Sequence, residues 1–377
     1  MSEGSSAPLK VAIVGTRGIP NRYGGFEQFA EYLAVGLYER GHEVGVYLPD
    51  FHDYQEDTFK GVQLHRIGSP EKHIGAAANF LYDYFSLRDA IRRGYEIVLE
   101  CGYGTSAPSL ALTHLGRCIV VTNMDGLEWR RAKWSRPVQR LTRWFEAMAV
   151  RNSHALVSDN VGIQDYLKEA YGAESTYIPY GADIVLNPSA DVLAPFDVVP
   201  GAYQLAVARL EPENNLEMIC DGHRASGCGM PLLVIGNDRT AYGGFLRNCY
   251  QDVPSIHFLG AIYEKRTLDA LRHHARIYFH GHSVGGTNPS LLEAMGCGAF
   301  IAAHDNSFNR TVVGEGALYF AGPGDVAGIL AADLGGLQGY RGANIARIRE
   351  EFNWDFIIES YERLFLDLVA RRRPTVP

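Results

Sequence analysis

Residues 276–301 read RIYFHGHSVGGTNPSLLEAMGCGAFI, and this stretch decides the fold. Residues 277–279 have the length and apolar character of a short buried strand. Asn288 is a favourable N-cap and Pro289 suits the first turn of a helix, so we predict that a helix begins there. Glycines end that helix before a second apolar run starts at Ala299. A strand, a glycine-rich loop, a helix and another strand in this order are typical of a parallel α/β sheet.

The loop in this stretch has the chemistry of an anion site. A helix N-terminus offers free N–H groups and a partial positive charge of roughly half a unit, and both favour phosphate. Gly285 and Gly286 let the backbone approach a ligand closely. Glu293, one turn into the helix, can accept hydrogen bonds from sugar hydroxyls while the loop holds a diphosphate. The alternative is an ordinary βα turn with a surface glutamate, and the clustering of these features favours the ligand site.

The same residues resemble a known enzyme family. Residues 280–298, HGHSVGGTNPSLLEAMGCG, are similar to a segment of GT-B retaining glycosyltransferases, the clan of glycogen synthases and bacterial mannosyltransferases. They are closer still to bacterial rhamnosyltransferases of cell-surface polysaccharide assembly. The resemblance implies an α/β fold in which two Rossmann-like, doubly wound parallel-sheet domains face a central cleft. In the clan the segment carries two glutamates separated by seven residues, and here Glu293 matches the second whereas Gly285 stands at the first. Because the first usually contacts the donor sugar, its absence implies a different donor, consistent with a deoxysugar such as rhamnose.

Composition excludes several classes of protein. The chain has 377 residues, which is room for two domains, with 46% hydrophobic and 21% charged residues. A net charge of −8 argues against a general nucleic-acid binder. Six scattered cysteines predict buried free thiols in a reducing cytosol. Residues 1–8 lack the apolar core of a signal peptide and no long apolar run follows, so we expect a cytoplasmic protein without a transmembrane helix.

The pattern of strands and loops divides the chain. We predict an N-terminal acceptor-binding Rossmann-like domain over residues 1–185 and a linker, rich in Pro, Ala and Asp, over residues 186–202. Residues 203–352 would form a C-terminal nucleotide-sugar-binding Rossmann-like domain. The resemblance implies that residues 353–377 form a helix that packs back on the N-terminal domain.

The first loop of the chain, GTRGIPNRYGGFE, follows an apolar strand. It supplies five candidate cleft or phosphate-loop residues, namely Arg17, Gly18, Gly24, Gly25 and Glu27. The resemblance implies that its glycines approach the donor diphosphate and the acceptor, and Arg17 could neutralise phosphate charge. Glu27 is either a cap-like surface residue or an acceptor contact, and both interpretations stay open. A flexible turn is the alternative for the whole loop.

Two carboxylates after a later strand are the catalytic candidates. Asp125 is the best candidate for an acceptor-side base or orienting group, because a carboxylate beside a sugar hydroxyl can take its proton as the bond forms. Glu128 is the second candidate. An Asp-Gly turn is the structural alternative, but the position after a buried strand favours a functional role.

The remaining candidates bind the donor. In the clan an arginine and, five residues on, a lysine hold the diphosphate; Arg209 matches the first and Asn214 replaces the second. Ile262 and Tyr263 stand in a loop that in the clan holds the nucleotide base. The loop and helix candidates of the opening stretch are Gly285, Gly286, Thr287, Asn288, Pro289, Ser290 and Glu293.

Residues 128–151 are basic, with seven Lys and Arg against two Glu, and tryptophans are interleaved. A solvated helical face with aromatic core contacts is one interpretation. A peripheral contact with the anionic inner face of a membrane is the other, because basic residues attract anionic lipid and aromatic rings settle at the interface. Both stay open.

The predicted function is that of a retaining hexosyltransferase. The donor would be dTDP-β-L-rhamnose, giving a β linkage, and the acceptor a saccharide carried on a lipid diphosphate. No D-x-D sequence occurs, so we expect no metal requirement and no cofactor. His280 and His282 form an H-x-H pair without an evident third ligand, and we interpret them as loop and cleft residues. A nucleotide-sugar epimerase of the same architecture and a non-catalytic sugar-nucleotide-binding protein are the alternatives.

Overall fold

The computed structural model describes residues 7–22, 24–131, 134–335 and 338–372, which form two compact units. Unit 1 comprises Met1–Trp129, Arg136–Pro179 and Trp354–Pro377, and unit 2 comprises Arg130–Ser135 and Tyr180–Asn353. Residues 186–202, predicted as a linker, belong to unit 2 and contain the 3-10 helix Ala190–Phe196, in which Leu193 is buried.

The strands form the two sheets. They are β1 (Lys10–Val14), β2 (Glu43–Pro49), β3 (Thr58–Phe59), β4 (Val62–Ile67), β5 (Ile97–Cys101), β6 (Ile119–Asn123), β7 (Ala155–Ser158) and β8 (Thr176–Tyr177) in unit 1, and β9 (Gln204–Val207), β10 (Leu232–Ile235), β11 (Ile256–Gly260), β12 (Ile277–His280), β13 (Ile301–His304) and β14 (Leu318–Phe320) in unit 2. Parallel strands that are covered on both faces have nearly continuous apolar sequences, as β1 and β9 do.

Helices cover both sheets. They are α1 (Gly25–Glu39), α2 (Glu71–Ile74), α3 (Ala78–Arg92), α4 (Ala107–Leu112), α5 (Arg136–Asn152), α6 (Val161–Tyr171), α7 (Leu216–Ser226), α8 (Ala241–Tyr250), α9 (Lys265–His274), α10 (Pro289–Gly296), α11 (Ser307–Val313), α12 (Pro323–Ala331), α13 (Gln338–Glu351) and α14 (Trp354–Arg372). Within the described residues, no helix is both long enough and apolar enough to cross a membrane.

Unit 1 has the sheet order β3-β4-β2-β1-β5-β6-β7-β8, parallel except for the edge strand β3. The order reverses direction between β1 and β5, and such a switch point is where open α/β sheets bind ligands. The last helix, α14, belongs to this unit and packs on α1. A Cβ added at Gly36 of α1 would overlap Ile358 of α14, and the rings of Tyr32 and Trp354 stack with centroids 4.3 Å apart.

Unit 2 has the order β11-β10-β9-β12-β13-β14, and all its strands are parallel. Its switch point lies between β9 and β12. Both sheets therefore follow the doubly wound Rossmann order, which confirms the predicted α/β class with two Rossmann-like parallel-sheet domains. The predicted strand at 277–279 and the helix that starts at Pro289 are confirmed as β12 and α10.

Candidate functional site

Two loops meet at the switch point of unit 2, and we call residues 208–215 and 281–288 together the switch-point loops. The N–H and the hydroxyl of Ser283 donate to the Glu213 carbonyl at 3.0 and 2.8 Å, and the Asn215 amide donates to the Gly281 carbonyl at 2.7 Å. A Cβ at Gly281 would overlap the Asn214 carbonyl, so this close approach requires glycine. These bonds hold the two loops as one platform at the carboxyl end of the sheet.

The N-terminus of α10 opens onto this platform. Asn288 is the N-cap, as predicted, and its side chain accepts the Ser290 N–H at 3.0 Å, with Pro289 as the first helical residue. The Ser290 hydroxyl lies 2.6 Å from the Tyr278 hydroxyl and 3.3 Å from the Val207 carbonyl, which fixes the first turn of the helix to β12 and β9. Ser290, which was predicted to bind the sugar donor, therefore has a structural role in this turn.

The loop before α10 contains one buried residue and one glycine that borders empty space. Thr287 is buried, whereas nothing lies within 4 Å of where a Cβ of Gly285 would stand. Gly285 has φ +132°, a backbone conformation that L side chains rarely adopt. This explains why no glutamate occupies the position, and it leaves Gly285 beside unfilled space.

Glu293 is held by a buried arginine. Its Oε2 lies 2.6 Å from Nη2 of Arg272, a residue of α9 that is 2% exposed, and the Glu293 side chain itself is 18% exposed. Burial alone would lower the pKa of the Arg272 guanidinium, but Glu293, together with smaller contributions from Tyr278, Cys297 and Asp269, outweighs it and holds that pKa above its ordinary value. Asp269 lies 3.6 Å from the same guanidinium. Glu293 is therefore an oriented carboxylate in the second turn of α10, and not a surface residue.

The other candidates for donor binding differ in burial and in whether their polar groups already form hydrogen bonds within the protein. Asn214 is buried, and its amide donates to the Arg209 carbonyl at 2.6 Å, so it stabilises the loop that presents Arg209. The Arg209 side chain is exposed at the end of β9. Ile262 and Tyr263 follow β11, and Tyr263 is 73% exposed. The roles of these residues in donor binding stay predictions.

Two histidines lie side by side at the platform. The rings of His280 and His282 stack with centroids 4.3 Å apart and planes 13° from parallel. Burial, then His282, hold the pKa of His280 well below its ordinary value. Burial, then Arg209 and Arg131, lower the pKa of His282 to about 3. Both rings are thus neutral at physiological pH, and within the described part of the chain neither nitrogen of His280 has a hydrogen-bond partner.

Glu213 is a residue that sequence reasoning missed. It is 6% exposed, and among the described residues neither of its carboxylate oxygens accepts a hydrogen bond. The Nη1 atom of Arg131, from the short segment that folds with unit 2, lies 3.9 Å from its Oε1. In the sequence Glu213 reads as part of a polar turn, and no local signal indicates that residues far along the chain bury it.

In unit 1 the loop after β1 is held by glutamates of α1 and α2. The Arg17 guanidinium binds both oxygens of Glu71 at 2.8 and 3.0 Å, and the Arg17 N–H donates to Glu27 Oε1 at 2.9 Å. Glu27 is buried, so its interpretation as a cap-like surface residue is wrong. Its interpretation as an acceptor contact stays a prediction.

The glycines of this loop are packed or structural. Gly18 has φ +90°, and a Cβ there would overlap the Leu48 side chain. Gly24 is the N-cap of α1 and Gly25 its first residue. Gly18 is therefore packed against β2, and the approach of the loop to a ligand remains a prediction.

The catalytic candidates lie at the carboxyl end of β6. Asp125 has φ +50°, and its N–H donates to Asn123 Oδ1 at 3.0 Å, while the Asn123 amide donates to the Tyr361 hydroxyl at 3.2 Å. Glu128 is half-buried and starts the 3-10 helix Glu128–Arg130. The turn predicted at Asp125 is therefore present. It lies at the same edge of the sheet as the loop after β1.

Helix α5 has a buried polar anchor and an exposed apolar and basic face. Buried Glu146 accepts hydrogen bonds from the hydroxyls of Tyr103, Tyr166 and Tyr171 at 2.9, 2.6 and 2.7 Å. The face that we call the α5 surface consists of the exposed residues Arg136, Val138, Arg140, Leu141, Arg143 and Trp144. Ala132 and Lys133 of the basic stretch lie outside the described residues. An aromatic core contact also exists, since Phe145 is buried.

A family model described as "Domain of unknown function (DUF1972)" matches residues 9–183. No curated protein matches the chain. Sucrose-phosphate synthase from Thermosynechococcus elongatus is 16% identical with a TM-score of 0.79, over 96% of this chain and 100% of that chain. HepE from Anabaena, in complex with UDP, is 15% identical with a TM-score of 0.73, over 95% of this chain and 100% of that chain.

A third similar structure extends the range of organisms. The catalytic domain of starch synthase IV from Arabidopsis thaliana, bound to ADP and acarbose, is 12% identical with a TM-score of 0.72, over 97% of this chain and 100% of that chain. At such low identities the likeness is one of fold. The chain shares with these proteins the GT-B fold, with two Rossmann-like units that are each built on a parallel sheet.

Proposed function

We propose that the protein is a nucleotide-sugar-dependent glycosyltransferase. The observation that carries the proposal is the switch point of unit 2, where a capped helix N-terminus, an exposed Arg209 and the arginine-held carboxylate of Glu293 belong to adjoining elements. Ligands of open α/β sheets bind at this place. The nucleotides in the similar structures, UDP with HepE and ADP with starch synthase IV, support the proposal.

The donor would be held from two sides. Free N–H groups of the first turn of α10 and the guanidinium of Arg209 would bind the diphosphate and stabilise its charge as it leaves. Glu293 would accept hydrogen bonds from hydroxyls of the donor, and Arg272 keeps its carboxylate in place. Since the helix terminus and Arg209 supply positive charge, we expect activity in the presence of a chelator.

Unit 1 would bind the acceptor. Asp125 and Glu128 lie at the carboxyl end of β6, where a carboxylate could orient the attacking hydroxyl or take its proton. We propose retention, in which the hydroxyl attacks the face that the diphosphate leaves and a diphosphate oxygen assists its deprotonation. A dTDP-β-L-rhamnose donor would then give a β-linked rhamnoside. The glycine-only backbone at Gly285, in place of a sugar-binding glutamate, supports an altered donor.

The direct test is a binding screen followed by a transfer assay. dTDP-rhamnose would be compared with UDP- and GDP-sugars by calorimetry, and the best donor would then be incubated with and without saccharide acceptors. We expect tightest binding of dTDP-rhamnose and a β-glycosidic product. An isomerised donor in the absence of acceptor would instead indicate an epimerase, and binding without any turnover would indicate a non-catalytic protein.

We further propose that the α5 surface contacts an anionic membrane, where a lipid-diphosphate-linked acceptor would reside. Trp144 is 57% exposed and Leu141 47% exposed, beside the exposed arginines Arg136, Arg140 and Arg143. Exposed apolar side chains flanked by cations favour an anionic interface, although the whole chain carries −8.

Vesicle flotation tests this contact. We expect the protein to bind vesicles that contain phosphatidylglycerol better than vesicles of phosphatidylcholine alone. The double variant Leu141→Ser, Trp144→Ser should reduce the binding about tenfold, whereas Leu186→Ser, at an exposed leucine of unit 2, should leave it unchanged. Equal binding of both variants would refute the proposed membrane contact and leave the transferase proposal intact.

A further inference from the structure

We infer that Glu213 binds hydroxyl groups of the donor sugar, an inference that rests on the proposed function and deepens it. Glu213 belongs to the switch-point loops, and its carbonyl accepts two hydrogen bonds from Ser283. Glu213 therefore belongs to a loop that is bonded directly to the segment leading into α10. It supplies a carboxylate in the switch-point loops, in which Gly285 has no side chain.

The carboxylate of Glu213 is buried, but its oxygens accept no hydrogen bonds within the described residues. Both oxygens are shielded from solvent, and within the described residues neither accepts a hydrogen bond. A buried carboxylate without partners is costly, because its lost hydration is not replaced. Such a group is retained either for a structural ion pair or for a ligand that completes its hydrogen bonds.

The ion pair with Arg131 is too long to complete those bonds. Its shortest approach, Nη1 to Oε1, is 3.9 Å, beyond the range of a hydrogen bond. The Arg272–Glu293 pair of the same unit is closed at 2.6 Å, so a direct arginine–carboxylate contact is feasible in this fold. Arg131 therefore offsets the charge of Glu213 but leaves its acceptor oxygens unused.

The groups around Glu213 indicate what kind of ligand would bind there. His280 stands at the end of β12 and His282 in the switch-point loops, and both rings are neutral. Nδ1 of His282 also has no hydrogen-bond partner among the described residues. Two carboxylate oxygens need hydroxyl or N–H donors, and the arginine charges nearby favour an attached anion. No group of three or more His, Cys, Asp or Glu in the described chain could hold a metal ion. A polyhydroxylated ligand that carries phosphate, such as a nucleotide sugar, meets both requirements.

The inference predicts a selective loss of affinity. With the full-length protein, calorimetry would compare the nucleoside diphosphate alone with the matching nucleotide sugar chosen by the donor screen. Glu213→Gln should leave the affinity for the diphosphate within about twofold of wild type and weaken that for the nucleotide sugar about tenfold or more, since a bond to a charged acceptor is lost. Glu217→Gln, an exposed glutamate at the start of α7, is the matched control and should change neither.

Each other result has a definite meaning. Equal weakening of both ligands, or of neither, would show that Glu213 does not recognise the sugar. A Glu213→Gln protein that unfolds or melts well below wild type would show that the carboxylate serves a structural pair with Arg131, and would also overturn the inference. A wild-type protein that binds no nucleotide sugar would refute the proposed function itself, and this is seen without any substitution.

Discussion

The loops at the two switch points follow the same strand order but satisfy their polar groups in opposite ways. In unit 1 the loop after β1 is closed, because Glu71 binds the Arg17 guanidinium and Glu27 binds its N–H. In unit 2 the Glu213 carboxylate and the His280 ring have no hydrogen-bond partners among the described residues. The contrast is one between loops, because Glu100 near the end of β5 in unit 1 also has two carboxylate oxygens without a hydrogen-bond partner among the described residues. The loop after β1 satisfies its polar groups from within unit 1, whereas we propose that a ligand completes those of the unit 2 loops.

The largest expected effect concerns the Arg272–Glu293 pair of unit 2. Arg272→Ala would leave Glu293 without its buried partner, and breaking such a pair costs about 3–5 kcal/mol of unfolding free energy. Urea unfolding at neutral pH would measure it. Arg224→Ala, which removes an exposed pair with Asp221 on α7, is the control and should change little. Equal stability of Arg272→Ala and wild type would contradict the anchoring role.

Glycine substitutions compare the packing of the two loops. Gly18→Ala introduces an overlap with Leu48 and strains φ, so we expect a loss of about 2–3 kcal/mol in unfolding free energy. Gly285→Ala strains φ but meets nothing within 4 Å, so a loss of about 1 kcal/mol is expected. The same unfolding assay measures both variants. If Gly285→Ala were the more damaging, the space beside it would not be open.

Turnover should separate the arginines of the two loops. Arg209→Ala and Glu293→Ala should each lower turnover at least tenfold, a loss of about 1.4 kcal/mol in transition-state binding. Arg17→Ala should have a smaller effect, because Glu71 already occupies its guanidinium. Steady-state kinetics with the best donor would test this. Full activity of the first two variants, or an equal loss in Arg17→Ala, would contradict the claim that the unit 2 residues matter more for turnover than Arg17 does.

Two buried groups, one in each unit, should contribute to the pH dependence of stability with opposite signs. Burial raises the pKa of Asp83 in unit 1 to about 7, so the folded chain holds a proton that the unfolded chain releases, and stability falls as pH rises from about 4 to 7. The pKa of His280 in unit 2 is lowered, so the unfolded chain holds the extra proton, and stability falls as pH drops below about 6.5.

Single variants isolate the two contributions. Asp83→Asn should flatten the loss toward neutral pH, and His280→Asn should flatten the loss toward acid pH, each by about 1.4 kcal/mol per pH unit. His257→Asn, at an exposed position of β11, is the control. Urea titrations at several pH values would measure the slopes, and unchanged slopes would show that neither group titrates differently on folding.

The sequence predicted what local residues decide. The Asn288–Pro289 start of α10 and the strand before it follow from capping chemistry and apolar runs, and both are confirmed. The parallel α/β class follows from the strand–loop–helix–strand order, and the two doubly wound sheets were implied by the resemblance to GT-B glycosyltransferases. Both are confirmed.

The sequence could not supply partners that lie far along the chain. Glu71 stands 54 residues from Arg17, and nothing near Arg17 indicates that the pair forms. Arg131 reaches Glu213 because a short segment folds with unit 2, which no composition signal marks. The anchor of Glu293 was missed because Arg272 reads as an ordinary helical arginine. Burial of charged groups depends on tertiary packing, so these parts of the site required the structure.

A crystal structure of the protein soaked with nucleotide sugar tests the central claim most directly. We predict the diphosphate within hydrogen-bond distance of the first turn of α10 and of Arg209, with a donor hydroxyl bound by Glu293. A nucleotide bound away from the switch-point loops of unit 2 would contradict the account.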